Sequence, residues 1–200
     1  MDALEANEAD VSSRRQLWVW FACAIGGCFL LHEMGHCAVA WIHGYPAIPT
    51  LMKSYRLDGL PQSLHNQVSL GGPTGSVAAV LASMIALYRN PSAIRSAVLA
   101  GTMTGPEFYA VRFVLFGRGH DSTEFQEAQA ALGWSYEGHG LDWMFVMLLA
   151  IAAGFWFWCV RPPITARLVG RLSAGSVVGV IILVSLDKIN KAIFNPIFGP

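Results

Sequence analysis

Hydrophobic residues in this chain run in long blocks separated by short polar stretches. The first block extends from about Leu17 to Ile42, and others run from about Val68 to Tyr88, Ala93 to Phe116, Leu141 to Val160 and Leu168 to Leu186. Each reaches or approaches the roughly 20 residues a helix needs to cross a bilayer. The pattern predicts an all-α integral membrane protein, a bundle of about five transmembrane helices forming one polytopic domain over residues 1–200.

The stretches between the blocks differ in kind. Residues 44–67, "GYPAIPTLMKSYRLDGLPQSLHNQ", hold three prolines and short alternating pieces such as "LMKSYRL". They predict an interfacial or re-entrant loop with a short β segment or hairpin. Between the third and fourth blocks, 117–140 is too polar to cross lipid, and its 122–132 portion reads as a short amphipathic helix with Asp121 as N-cap. The opening "MDALEANEAD" is acidic and has no apolar h-region, so residues 1–13 read as a soluble tail rather than a signal or transit peptide. In the fifth block Gly170, Ala174, Gly175 and Gly179 suit close helix contact. No internal repeat is apparent.

Composition agrees with the pattern: the 200 residues are 54% hydrophobic and 13% charged, with a mean hydropathy of +0.46, far from a soluble domain. Thirteen basic and thirteen acidic side chains cancel, so net charge offers nothing to nucleic acid. Cys23, Cys28, Cys37 and Cys159 lie in apolar runs without CxxC spacing and read as buried thiols. With five spans, Arg14, Arg15, Arg89, Arg95, Arg161, Arg167 and Arg171 share the N-terminal side, against Lys53, Arg56, Arg118, Lys188 and Lys191 opposite. The balance favours a cytoplasmic N-terminus.

One segment of the first block breaks its own pattern. "CFLLHEMGHCAVAW", residues 28–41, sets two histidines and a glutamate among lipid-facing residues, where an ionisable side chain costs about 2.5 kcal/mol or more. Residues four apart in a helix share a face, so His32 and His36 can reach one metal ion. Glu33 lies beside that face, placed to move a proton rather than to ligate, as in H-E-x-x-H zinc peptidases. His43 lies about 10 Å further along the axis than His36 and is out of reach. Cys37 is rotated by about 100° from His36 and reads as a packing thiol.

A catalytic zinc usually has three protein ligands and one open position. Candidates for the third are Glu107, Asp121, Glu124, His139 and Asp142. Glu107 is intramembrane, with Arg112 on the same segment to neutralise it in part. Asp121 begins a helix after the third span, and Asp142 opens the fourth.

"HEMGH" inside an apolar helix, a loop containing Pro and Gly, and "SLGGPTGS" opening the next span together resemble the site-2 protease family of intramembrane zinc metallopeptidases. The resemblance covers roughly residues 17–142 and implies His32 and His36 as zinc ligands and Glu33 as general base. It also implies an aspartate about ninety residues after the histidines as third ligand. Asp121, 85 residues after His36, fits that better than Asp142 at 106. The chain departs from the family in lacking an Asn-Pro-x-Asp-Gly type motif, with Gly119-His120-Asp121-Ser122 in its place, and in having Ser76 where an Asn often follows the Gly-Pro pair. Gly71 and Gly72 also suit a turn from which a helix starts at Pro73.

The function expected is zinc-dependent hydrolysis of peptide bonds in membrane-spanning substrates. The bilayer, a substrate with a transmembrane helix and a regulatory membrane partner are the associations in keeping with it. The alternative is a non-proteolytic membrane protein that binds a metal through the same histidines, as sensor or transport element. A transporter normally needs ionisable groups along a pathway, and apart from Glu107 and Arg112 the spans offer few.

Overall fold

The computed structural model describes residues 3–55, 60–117, 122–161 and 166–198, without side-chain detail at 3–13, 122 and 166–173. Helix α1, Ala3–Ile42, spans 40 residues. At 1.5 Å per residue it is about 60 Å long, twice the hydrocarbon thickness of a bilayer, about 30 Å. The apolar part is Arg14–Ile42, so the acidic tail continues the same helix beyond it. Gly44, at φ 79°, ends the helix in a left-handed turn, with Tyr45 N–H closing on Ala40 O at 3.0 Å.

The proline-rich loop forms the expected hairpin. Strand β1, Ile48–Pro49, pairs antiparallel with β2, Ser54–Tyr55, in the register Ile48 with Tyr55 and Pro49 with Ser54. Trp41 Nε1 donates to Ala47 O at 3.0 Å and fixes the hairpin's entry to α1. At its far side Tyr55 Oη donates to Asn195 Oδ1 at 2.8 Å, near the end of the last helix.

Helix α2 runs from Gln62 to Arg89 and contains Gly71, Gly72 and Pro73 in its interior, which corrects the expectation of a turn there with the helix starting at Pro73. Proline inside a helix forfeits one backbone hydrogen bond and normally costs about 3 kcal/mol. The helix continues through it because packing against α1, not local propensity, sets its course. A Cβ on Gly35 would overlap the Gly71 carbonyl, one on Gly71 the Gly35 carbonyl, and one on Gly75 the Leu31 carbonyl. The two backbones touch, which only glycine allows.

Helix α3, Ala93–Phe116, starts at Ser92, whose Oγ accepts from Arg95 N–H at 3.2 Å, and stops at Gly117 with φ 68°. Ser122–Ala131 is the short polar helix α4, Gly140–Val160 is α5 and Ala166–Phe198 is α6. Among the described residues, three helical stretches, Arg14–Ile42, Gln62–Arg89 and Gly140–Val160, are long and apolar enough to cross a membrane. The other two blocks are helical where expected, α3 carrying Arg95, Glu107 and Arg112. In α6, Gly179 meets Thr104 of α3 closely, whereas Gly175 has nothing within 4 Å.

α1 packs mainly against α2 and α3, while α4 lies on α2 and α5 on α3. The principal core joins α2 to α5 through Leu87, Leu99, Phe113, Phe125, Phe145 and Leu149. A smaller one, Cys37, Ala40, Ala47, Leu64 and Val68, seals α1, the hairpin entry and α2.

Candidate metal centre

The two histidines of α1 face α2 at the glycine contact. His36 Nδ1 lies 2.7 Å from Val68 O. A carbonyl only accepts, so Nδ1 carries the hydrogen, and in a neutral ring Nε2 presents a lone pair. His32 Nδ1 lies 3.0 Å from Ser76 Oγ. The Nε2 atoms stand 3.2 Å apart, the rings edge to face.

A carboxylate completes the group from α4. Glu124 Oε1 lies 3.3 Å from His32 Nε2 and 3.6 Å from His36 Nε2, and it is buried without a hydrogen-bond partner among the described residues. Helix α4 is held over the site by the next turn, where Glu127 Oε2 accepts from Ser69 Oγ at 2.5 Å and faces His65 Nε2 at 3.4 Å. Phe125 between them stacks on Tyr109, centroids 4.4 Å apart.

His32, His36 and Glu124 therefore form a group that can hold a metal ion. Two imidazole lone pairs and a carboxylate oxygen this close call for a proton or a cation among them, and a cation satisfies all three atoms at once. Bonds of about 2.1 Å in a regular tetrahedron give edges of about 3.4 Å, and the observed separations bracket that value. Gly72 makes the space, since a Cβ there would stand 2.6 Å from His32 Nε2 and closer still to His36 Nε2.

Glu33 is buried at the next position of α1. Its Oε2 accepts from Ser54 Oγ at 2.8 Å, and the same hydroxyl lies 3.1 Å from Glu33 O. Cys37 Sγ donates to Ser54 Oγ at 3.4 Å. The hairpin thus carries a hydroxyl onto the carboxylate beside the histidines, a role for Ser54 that the sequence did not signal.

No family model, curated protein or solved structure matches this chain.

The other sequence candidates fall elsewhere. Asp121, the first choice for third ligand, and His120 lie outside the described residues. Asp142 is 2% exposed and receives the Tyr109 hydroxyl, with His139 Nδ1 3.4 Å away. Both belong to the packing of α5 on α3, not to the histidine pair. Glu107 is half-buried on α3, and no ion pair joins it to Arg112 among the described residues. His43 is exposed beyond the end of α1. Glu124, 88 residues after His36, sits too near Asp121 in sequence for spacing to separate them. The available signal was its i, i+3 partnership with Glu127, which puts both carboxylates on one face of a short helix.

Proposed function

We propose that this protein is an intramembrane zinc metalloprotease, a bundle of about five spans that hydrolyses peptide bonds of membrane-spanning substrates. The observation that carries the reading is the convergence of His32 Nε2, His36 Nε2 and Glu124 Oε1, with Glu33 buried at the adjoining position of a helix apolar enough to cross lipid. Two histidines and a carboxylate are the donor set of a catalytic zinc that keeps one position open. Zinc held there supplies Lewis-acid polarisation of a peptide carbonyl and makes water a better nucleophile at neutral pH.

The protein's own residues do the rest. Val68 O holds the His36 ring in the tautomer that directs Nε2 into the site, and Ser76 orients His32. Glu33 takes the proton of the attacking water and returns it to the leaving amine, so the proton is conserved over the cycle. Ser54 keeps that carboxylate in one rotamer through its Oε2 while the second oxygen handles the proton. A substrate helix has to unwind before its amides can be attacked, so helix-breaking residues near the cleaved bond are expected.

Glu33 also offers the test that separates this reading from a metal sensor or transport element, neither of which hydrolyses a peptide bond. The test is zinc-loaded protein in detergent or nanodiscs with synthetic single-span substrates carrying Gly or Pro at their centre. Wild type should cleave them. Glu33→Gln should keep its zinc and lose at least about 10²-fold in rate. Zinc-loaded wild type that binds the ion but cleaves nothing points to the non-proteolytic alternative, and Glu33→Gln cleaving at the wild-type rate removes the mechanism.

A further inference from the structure

A small, partly open apolar pocket with a cavity volume of about 50 Å³ adjoins the metal-binding group. His32 and Ser76 form the end nearest that group, and Phe29, Pro106, Phe125 and Phe145 supply its walls. No Asp, Glu, Lys or Arg lines it. Its polar groups are engaged, Ser76 with His32 and the Tyr109 hydroxyl with Asp142. A charged side chain entering would lose its water and meet no counter-charge, a cost of several kcal/mol or a forced neutralisation. On the α3 side the wall depends on Gly105, where a Cβ would meet the Phe29 ring.

We infer that this pocket is a substrate subsite that takes one uncharged apolar side chain, of about valine to leucine size, from a residue flanking the bond to be cleaved. The inference rests on the metalloprotease reading. Any carbonyl approaching His32 Nε2, His36 Nε2 and Glu124 Oε1 brings the neighbouring side chain within one residue spacing, about 3.8 Å, and His32 belongs both to that group and to the pocket lining. Sites for whole small-molecule ligands begin at about 300 Å³, whereas a water needs about 10–15 Å³, so a cavity of about 50 Å³ holds roughly three to five heavy atoms, the size of a valine or leucine side chain. The α1 helix that carries the metal ligands therefore also sets which residue is presented to them.

The test uses zinc-loaded, detergent-purified full-length protein and a series of acyl amino-acid hydroxamates bearing Ala, Leu, Phe, Trp or Asp side chains, with binding read by titration calorimetry. The hydroxamate chelates the metal, so binding reports on the pocket without turnover. Leu should bind about tenfold or more tighter than Ala, with Phe and Trp weaker than Leu and Asp no better than Ala. Phe29→Ala removes a half-buried wall and should move the optimum from Leu to Phe, a change of rank that micelle partitioning does not produce; Phe125→Leu serves if that variant fails to fold. Equal affinities across the series, or a rank order unmoved by both wall variants, overturn the subsite while leaving the zinc centre standing. Protein that takes up no zinc on loading and binds no hydroxamate overturns the metalloprotease reading and the subsite with it.

Discussion

Substituting Gly72 by alanine tests the metal centre without touching any ligand. The added Cβ would stand 2.6 Å from His32 Nε2 and closer still to His36 Nε2. To regain ordinary contact near 3.4 Å, each nitrogen must retreat by about 0.8 Å or more. Metal sites tolerate ligand displacements of about 0.2 Å, so the group opens beyond what one ion can bridge. Loss of a supporting interaction alone costs about 10- to 100-fold in affinity, and displacement of two ligands should exceed the upper figure. The rest of the helix is not penalised, because Gly→Ala within a helix is favourable by about 1 kcal/mol where there is room. Gly27→Ala is the matched control: it lies on α1 five residues before His32, and a Cβ there meets nothing within 4 Å. Elemental analysis and competition with a zinc-selective fluorescent chelator give stoichiometry and affinity. Wild type and Gly27→Ala should hold about one zinc per chain, and Gly72→Ala should hold little. Folded Gly72→Ala with wild-type zinc affinity would refute a site at the two Nε2 atoms.

Three further outcomes follow from the same geometry. Glu124→Ala should empty the site while Asp121→Ala retains zinc, read by elemental analysis; the reverse pattern would assign the third ligand to Asp121. Ser54→Ala removes the hydroxyl that orients Glu33 and should lower kcat by about 10- to 100-fold with KM and zinc content unchanged, whereas Ser54→Thr should recover most of the rate. Asp142→Ala leaves the buried Tyr109 hydroxyl without its acceptor and should destabilise the fold by about 1–3 kcal/mol, seen as a lower Tm, with zinc still bound; loss of zinc would place Asp142 in the metal centre.

Much of the architecture was legible because hydrocarbon imposes a simple code. The blocks ending at Ile42, Phe116 and Val160 gave helix ends that the structure repeats, and the prolines of 44–67 marked the hairpin region. Gly71-Gly72-Pro73 misled because those residues are locally read as a break. Their presence inside α2 answers to the backbone of α1 lying against them, a neighbour separated by some forty positions that no local propensity registers.

Periodicity alone put His32 and His36 on one face and Glu33 beside it, since a helix fixes the relation of residues one and four apart. It could not say which carboxylate completes the group, because that depends on where the polar helix Ser122–Ala131 comes to rest. The contacts of Glu127 with Ser69 and His65, and of Phe125 with Tyr109, set that position and bring Glu124 in. Nor could it show that Ser54 reaches Glu33, or that an uncharged pocket opens beside His32. The sequence by itself determined the membrane class, the helical blocks and the histidine pair, all of which follow from solvent and from short-range helix geometry. The third carboxylate, the hydroxyl on Glu33 and the pocket are contacts between segments far apart in the chain, and only tertiary packing decided them.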